Sequence, residues 1–246
     1  MKFQTHGLII KEQNISEQDK AVTILTGSHG VLRAFVRGGK SLKSGKAAPT
    51  SLLSYSRLTL YKGRESYSVG DAQTEKIFSR LRSDVRKMCL AQYFCELVLT
   101  ICPREQPAEA YLRLMLNSLY LISEDKRPEL LVKACLEMRM AAMAGYLPDL
   151  VMCRGCGKYT DSVMYFLPGT GELKCPDCRE SGHGAVELSG SALTALRHTV
   201  YADDDKLFSF SLGAEGLQAL NQASEAYLRC RFEKDFQTLI FYKTIS

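Results

Sequence analysis

Along the first 75 residues, apolar and polar positions come in short runs. Segments at 3–12, 20–26, 31–37, 52–62 and 66–74 are rich in Val, Ile, Leu, Thr, Tyr and Phe, with Gly- or Ser-bearing turns between them. Two of these runs show period-two alternation. In the third, Leu32, Ala34 and Val36 share one face and Arg33, Phe35 and Arg37 the other. In the fourth, Leu52, Leu58 and Leu60 oppose Tyr55, Arg57, Thr59 and Tyr61. Side chains point to opposite faces at each step along a strand, so each run predicts an apolar face and a basic-aromatic face. Five short strands in this span predict a small barrel.

From Ser83 the period changes to that of a helix. Ser83 is the expected cap of a helix running to about Cys102 and stopped by Pro103. Its apolar residues, from Val85 through Tyr93 and Phe94 to Ile101, nearly encircle the axis, which predicts a buried central helix. Helices are expected from near Pro107 (Tyr111, Leu112, Met115, Leu116, Leu119) and from near Pro128 (Leu131, Cys135, Met138, Ala142), the latter ending at Gly145. Residues 149–187 interrupt the pattern with Gly, Pro and Cys. Helical periodicity resumes after Ser189 and again from Gly213, and the apolar segment 236–245 reads as a helix end or an extended tail. The expected division is a barrel over 1–80, a helical domain formed by 81–149 and 188–246, and an insert at 150–187.

Charge sharpens this picture. The net +5 of the 246-residue chain is unevenly spread: residues 1–80 carry 13 basic and 6 acidic residues, and the remainder 19 and 21. From Lys20 to Arg64 there are nine basic residues and no acidic one. Such a segment attracts a polyanion. Cations that track a backbone, set beside rings that stack on bases, make a surface for single-stranded nucleic acid. The candidate contacts are Lys20, Arg33, Phe35, Arg37, Lys40, Lys43, Lys46, Tyr55, Arg57, Tyr61, Lys62 and Arg64. Lys40, Lys43 and Lys46 fall in a Gly- and Ser-rich stretch that reads as a mobile basic loop.

The sharpest motif lies in the insert. Cys153-Arg154-Gly155-Cys156 is followed, 18 residues on, by Cys175-Pro176-Asp177-Cys178. Two CxxC turns supply four thiolates for a tetrahedral Zn²⁺ site, and four protein ligands leave no open position, which points to a structural ion. A small hairpin, 164–167 and 172–174, is expected between the turns. His183 stands five residues beyond Cys178, as a substitute ligand or a surface loop residue. The other five cysteines of the nine (89, 95, 102, 135 and 230) sit in helical, mostly apolar stretches, where a buried inert thiol is the expectation.

No Gly-x-Gly-x-x-Gly or phosphate-loop pattern occurs, and no carboxylate cluster typical of metal nucleases stands out, so binding rather than catalysis is expected. No run approaches a membrane span, and the opening residues lack the core of a secretion signal, so a cytoplasmic protein with reduced thiols is expected.

The opening Gly7-Leu8-Ile9-Ile10-Lys11, the strand Asp19–Thr26, the segment from Gly30 to Lys40 and Leu58-Thr59-Leu60-Tyr61-Lys62-Gly63 resemble the bacterial RecO family of recombination mediators. So do the stop at Gly145-Tyr146-Leu147-Pro148 and the four cysteines, and the resemblance extends over essentially the whole chain. Arg37-Gly38-Gly39-Lys40 departs from the family's commoner Gly-Ala-Arg but keeps its basic character. The resemblance implies an α+β multidomain fold: an N-terminal five-stranded OB-fold barrel, then a helical bundle with an inserted zinc ribbon. It also implies binding of single- and double-stranded DNA, annealing of complementary strands, and work with RecR in loading a RecA-type recombinase onto DNA coated with single-strand-binding protein. The acidic C-terminal tail of that protein would be met by a basic, apolar groove in the helical domain. A bacterial, nucleoid-associated location follows, with neither membrane nor small-molecule substrate as partner. The alternative on the residues alone is an RNA-binding OB-fold and zinc-ribbon protein of translation or transcription.

Overall fold

Five strands close a barrel at the N-terminal end. They are β1 (Lys2–Asn14), β2 (Lys20–Thr26), β3 (Gly30–Val36), β4 (Ser54–Lys62) and β5 (Tyr67–Ile77), paired in the order β1-β2-β3-β5-β4, with β1 also pairing β4. All pairs are antiparallel except β3 with β5. This is the OB arrangement. The computed structural model describes residues 1–64, 66–179 and 184–245; His183 lies outside them.

The alternation of the third and fourth runs explains the closure. Leu32, Ala34 and Val36 join Ile9, Val22, Ile24, Leu58, Leu60, Tyr67 and Val69 in the barrel core. Each such aliphatic side chain, fully buried, contributes about 1.5–3 kcal/mol. Irregularities in register at Ile9/Lys11, Tyr55/Ser56 and Thr59/Leu60 increase local twist and let long strands curve around so small a core. Leu52 was expected on the apolar face of the fourth strand, but that strand begins at Ser54, and Leu52 is half-buried in the preceding turn.

Helices follow: α1 (Ser79–Arg82), α2 (Val85–Ile101), α3 (Glu109–Ser123) and α4 (Glu129–Met143). The cap of α2 is Asp84, whose carboxylate accepts from the Lys87 N–H at 3.1 Å, and not Ser83, whose hydroxyl instead bonds the Arg80 carbonyl. Cys89, Leu90, Tyr93, Phe94, Leu97 and Val98 of α2 are buried, as its all-round apolarity predicts, whereas Val85 at its first turn is exposed.

The insert contains more strand than the sequence suggested. β6 (Asp149–Cys153), β7 (Val163–Leu167), β8 (Glu172–Lys174) and β9 (Val186–Ser189) form a four-stranded sheet in the order β6-β8-β7-β9. The expected hairpin is β7–β8. The chain ends in α5 (Gly190–Tyr201), capped by the Ser189 hydroxyl, α6 (Ala214–Phe232) and α7 (Gln237–Thr244), so the last segment is a helix.

Two compact units result. The first is 1–124 with 237–246, in which α2 and α3 pack on β1 and α7 packs on α2; the second is 125–236, in which α4, α5 and α6 pack together with the small sheet. In the second unit, Lys133 of α4 is buried with its ammonium 2.9 Å from Glu137 and 2.7 Å from Glu225. Among the described residues, no helix is long and apolar enough to cross a membrane.

Candidate nucleic-acid interface and metal centre

Strand register places the barrel's candidate contacts. Phe35 of β3 lies opposite Ser68 of β5, and Ser68 lies opposite Tyr61 of β4. The two rings therefore flank one small residue in a single row across three strands, and both are exposed (39% and 44%). A groove of about 460 Å³ runs over this row, and its walls include Phe35, Arg37, Tyr61 and Lys62. Gly70 supports the Tyr61 ring from beneath: a Cβ at Gly70 would overlap that ring. The Arg33 guanidinium stands 5.9 Å from the Phe35 ring centroid and the Lys2 ammonium 5.8 Å from that of Tyr61.

The other candidates disperse. Tyr55 and Arg57 sit at the opposite end of β4, beside His6, where Arg57 bonds the Gln73 side chain. Burial, then the carboxylates of Glu109 and Glu75, push the Tyr55 phenol upward. Arg37, Lys43 and Arg64 are exposed. Lys40 donates to the Ser16 carbonyl at 3.3 Å, and half-buried Lys46 reaches the Val69 carbonyl at 3.5 Å. Their loop is bound by its own hydrogen bonds: the Ser44 hydroxyl reaches the carbonyls of Gly38 (2.6 Å) and Ser41 (2.8 Å), and Leu42–Ser44 form a single 3₁₀ turn.

The acid-free stretch of sequence is not acid-free in space. Lys20 is a correction: only 4% of its side chain is exposed, and its ammonium is 3.2 Å from Glu12, so it braces β2 against β1 rather than presenting charge. Asp19 accepts from the Gly38 N–H at 2.8 Å. Lys62 is 3.1 Å from Glu105, which also accepts from the Tyr67 hydroxyl at 3.1 Å. The hydrogen bond from Lys62, then that from Tyr67, holds the Glu105 carboxyl below the usual carboxylate range.

Two turns of the insert converge on one point. The sulfurs of Cys153, Cys156, Cys175 and Cys178 all lie within 4.8 Å of one another, with Cys156 and Cys175 at 3.6 Å. Tetrahedral coordination at Zn–S of about 2.3 Å requires sulfurs about 3.8 Å apart, so the donor set fits such an ion. Gly155 completes the cradle, since a Cβ there would sit 2.8 Å from the Cys178 sulfur. Burial pushes the Cys153 thiol up, but hydrogen bonds from the backbone at Cys175, Cys156 and Gly155 outweigh this and bring it down to about 6. Backbone N–H groups aimed at a sulfur favour the thiolate, the form that binds metal. Hydrogen bonding from Cys156 and Cys175 raises Cys178 to about 12. Of the remaining cysteines, 89, 95, 102 and 135 are buried as expected, and burial pushes Cys95 up to about 12; Cys230, however, is exposed on α6.

An OB barrel followed by helices and a four-cysteine sheet defines a class of two-part α+β proteins with a potential metal knuckle. Within that class the comparisons are specific. The family model described as Recombination protein O N terminal matches residues 1–78, and that described as Recombination protein O C terminal matches residues 82–240. The chain is 33% identical to the DNA repair protein RecO of Acetivibrio thermocellus over 243 residues, covering 99% of this chain and 97% of that protein. It is 32% identical to the DNA repair protein RecO of Symbiobacterium thermophilum over 247 residues, again 99% and 97%. The chain belongs to the RecO family of DNA repair proteins.

Neither Lys11 nor Arg104 was singled out from sequence. Both line a second groove on the barrel unit, beside Arg33. Lys11 lay outside the acid-free stretch, and Arg104 is remote in sequence, following α2.

Proposed function

We propose that this protein binds DNA through its barrel, anneals complementary single strands and, with RecR, helps a RecA-type recombinase replace single-strand-binding protein in recombinational repair. The observation that carries this reading is the Phe35–Ser68–Tyr61 row with Arg37 and Lys62 beside it. Two exposed rings on one face offer stacking for bases, and Arg37 beside them takes a phosphate, while Lys62 is shared with Glu105. Annealing makes and breaks no covalent bond, so no residue is given a catalytic role. It requires that charge repulsion between strands be screened and that bases remain accessible.

In this reading residues 1–80 are the DNA-binding domain, 81–149 and 188–246 the helical domain, and 150–187 the metal-binding insert. Cys153, Cys156, Cys175 and Cys178 hold one structural Zn²⁺, which would cross-link the β6 end to the turn after β8. The helical domain receives the acidic tail of single-strand-binding protein. The protein works in the bacterial cytoplasm, at the nucleoid.

Strand annealing with and without single-strand-binding protein is the decisive assay. Accelerated annealing of complementary DNA in both conditions is expected, and DNA should compete better than matched RNA. A protein that neither binds nor anneals DNA sinks the reading. For the insert, elemental analysis of the purified protein should give one zinc per chain, and its removal by a chelator should lower the melting temperature. A metal-free protein with unchanged melting would overturn the structural role.

A further inference from the structure

The aromatic groove occupies only part of the barrel's outer surface. A second groove of about 240 Å³ lies across β1, β2 and β3, and its walls include Lys11, Thr23, Arg33, Leu99 and Arg104. Register explains the first three: Lys11 opposes Thr23, and Thr23 opposes Arg33, so a hydroxyl lies between two cations in one row across three strands. Arg104 arrives from the segment after α2, its backbone bridged to Gly30 and Val31 at the start of β3. Among the described residues, the groove has three cations on its walls and no carboxylate.

These cations have not been neutralised elsewhere. Among the described residues, Lys11 and Arg104 make no side-chain hydrogen bond or ion pair, and Arg33 meets only the Gln13 amide oxygen, at 3.1 Å, and the Phe35 ring. Lys20 and Lys62, by contrast, have their acids. Three like charges around one concavity repel each other unless an anion joins them. Among the described residues, the walls also lack an exposed ring: the apolar members are Ala21, Val31 and Leu99. A strand lying here is gripped by its phosphates and not by its bases.

We propose that this groove is a second DNA seat, one that holds the phosphate backbone of the product duplex, whose bases face one another and not the protein. The proposal rests on the DNA-annealing reading and adds a division of labour to it. A strand stacked on Phe35 and Tyr61 has bases engaged with protein; in the product duplex they are engaged with one another. β3 is the ridge between the seats, carrying Phe35 toward one and Arg33 toward the other, two residues or about 7 Å apart along the strand.

The test compares two variants of the full-length protein, both at exposed positions. Lys11→Ala/Arg104→Ala should keep single-strand affinity within about twofold, yet lose affinity for duplex and annealing rate several-fold, up to about tenfold. Its salt dependence for duplex should flatten by about 0.9 for each phosphate no longer neutralised, and Arg104→Glu should reduce duplex binding further. Phe35→Ala/Tyr61→Ala should do the reverse, losing single-strand affinity while retaining duplex affinity. Wild-type annealing and duplex binding in Lys11→Ala/Arg104→Ala, with Phe35→Ala/Tyr61→Ala impaired on single strands, overturns the second seat and leaves the first standing. If the wild-type protein binds no DNA, the annealing reading fails and this inference fails with it.

Discussion

The charge at a single residue depends on its company, and the barrel's lysines illustrate the point. Lys20 and Lys62 are as basic as Lys43 on paper, but each faces a carboxylate contributed from elsewhere in the chain, Glu12 or Glu105. Those acids lie outside the stretch from 20 to 64 and come close only when β1 pairs with β2 and the segment after α2 reaches the barrel. Sequence spacing carries no trace of that approach. The same holds in the second unit, where Lys133 is 1% exposed, gripped by Glu137 one turn along and by Glu225 of α6. The Ser224 hydroxyl donates to Glu137, and Asn221 Oδ1 is 3.3 Å from the ammonium. Removing one partner of a buried ion pair leaves an uncompensated charge, which costs about 3–5 kcal/mol. Lys133→Met should therefore destabilise the second unit by about that amount in urea unfolding, and Lys133→Met/Glu137→Leu should recover much of it. A single variant as stable as wild type would show that the network contributes little.

At the scale of elements, strand alternation was the most informative signal. It predicted the buried faces of β3 and β4 and the outward set Arg33, Phe35, Arg37 and Tyr61, because period-two patterning leaves little choice once one face is apolar. The strand neighbours were not legible. That Phe35 and Tyr61 share a row depends on β5 inserting between β3 and β4 with Ser68 at the crossing point, a register set by closure of the barrel. The four cysteines were legible because two tight turns need only local sequence, whereas β6 and β9 were missed: each is short, and they complete the sheet only by pairing with β8 and β7. Gly70 makes the row testable. A side chain there overlaps the Tyr61 ring, so Gly70→Val should displace the ring without touching a cation. One stacked base is worth about 1–3 kcal/mol, and single-strand affinity should fall by that amount in Gly70→Val and again in Tyr61→Ala. The double variant should be no weaker than either alone, because both act on one ring. Additive effects would separate Gly70 from the stacking function.

Across the whole molecule, the unequal division of charge becomes a statement about salt. The formal count for residues 1–80 overstates what a polyanion meets, since Lys20 is buried against Glu12 and Lys62 is shared with Glu105. Among the described residues, the charges that remain available include Arg33, held by a neutral amide, Arg37 and Lys43, which are exposed, and Lys40, whose ammonium meets a carbonyl. Among the described residues, none of these four is paired with a carboxylate, so each should contribute in full to counterion release. Replacing all four by Ala should reduce the slope of log affinity against log salt by about 0.7 for each single-strand phosphate no longer neutralised, or about 2 if Arg37, Lys40 and Lys43 each neutralise one while Arg33 serves the second seat. Lys20→Ala and Lys62→Ala should each alter the slope by less, because their charge is already balanced within the fold. Lys20→Ala should instead cost stability, since it leaves Glu12 without its ammonium. The comparison decides between two views of the barrel. If slope follows formal charge, all six positions count alike and the acid-free stretch acts as a diffuse basic segment. If it follows the pairing in the folded barrel, the four unpaired positions dominate, and the DNA path is drawn by where Glu12 and Glu105 are absent as much as by where the lysines and arginines lie.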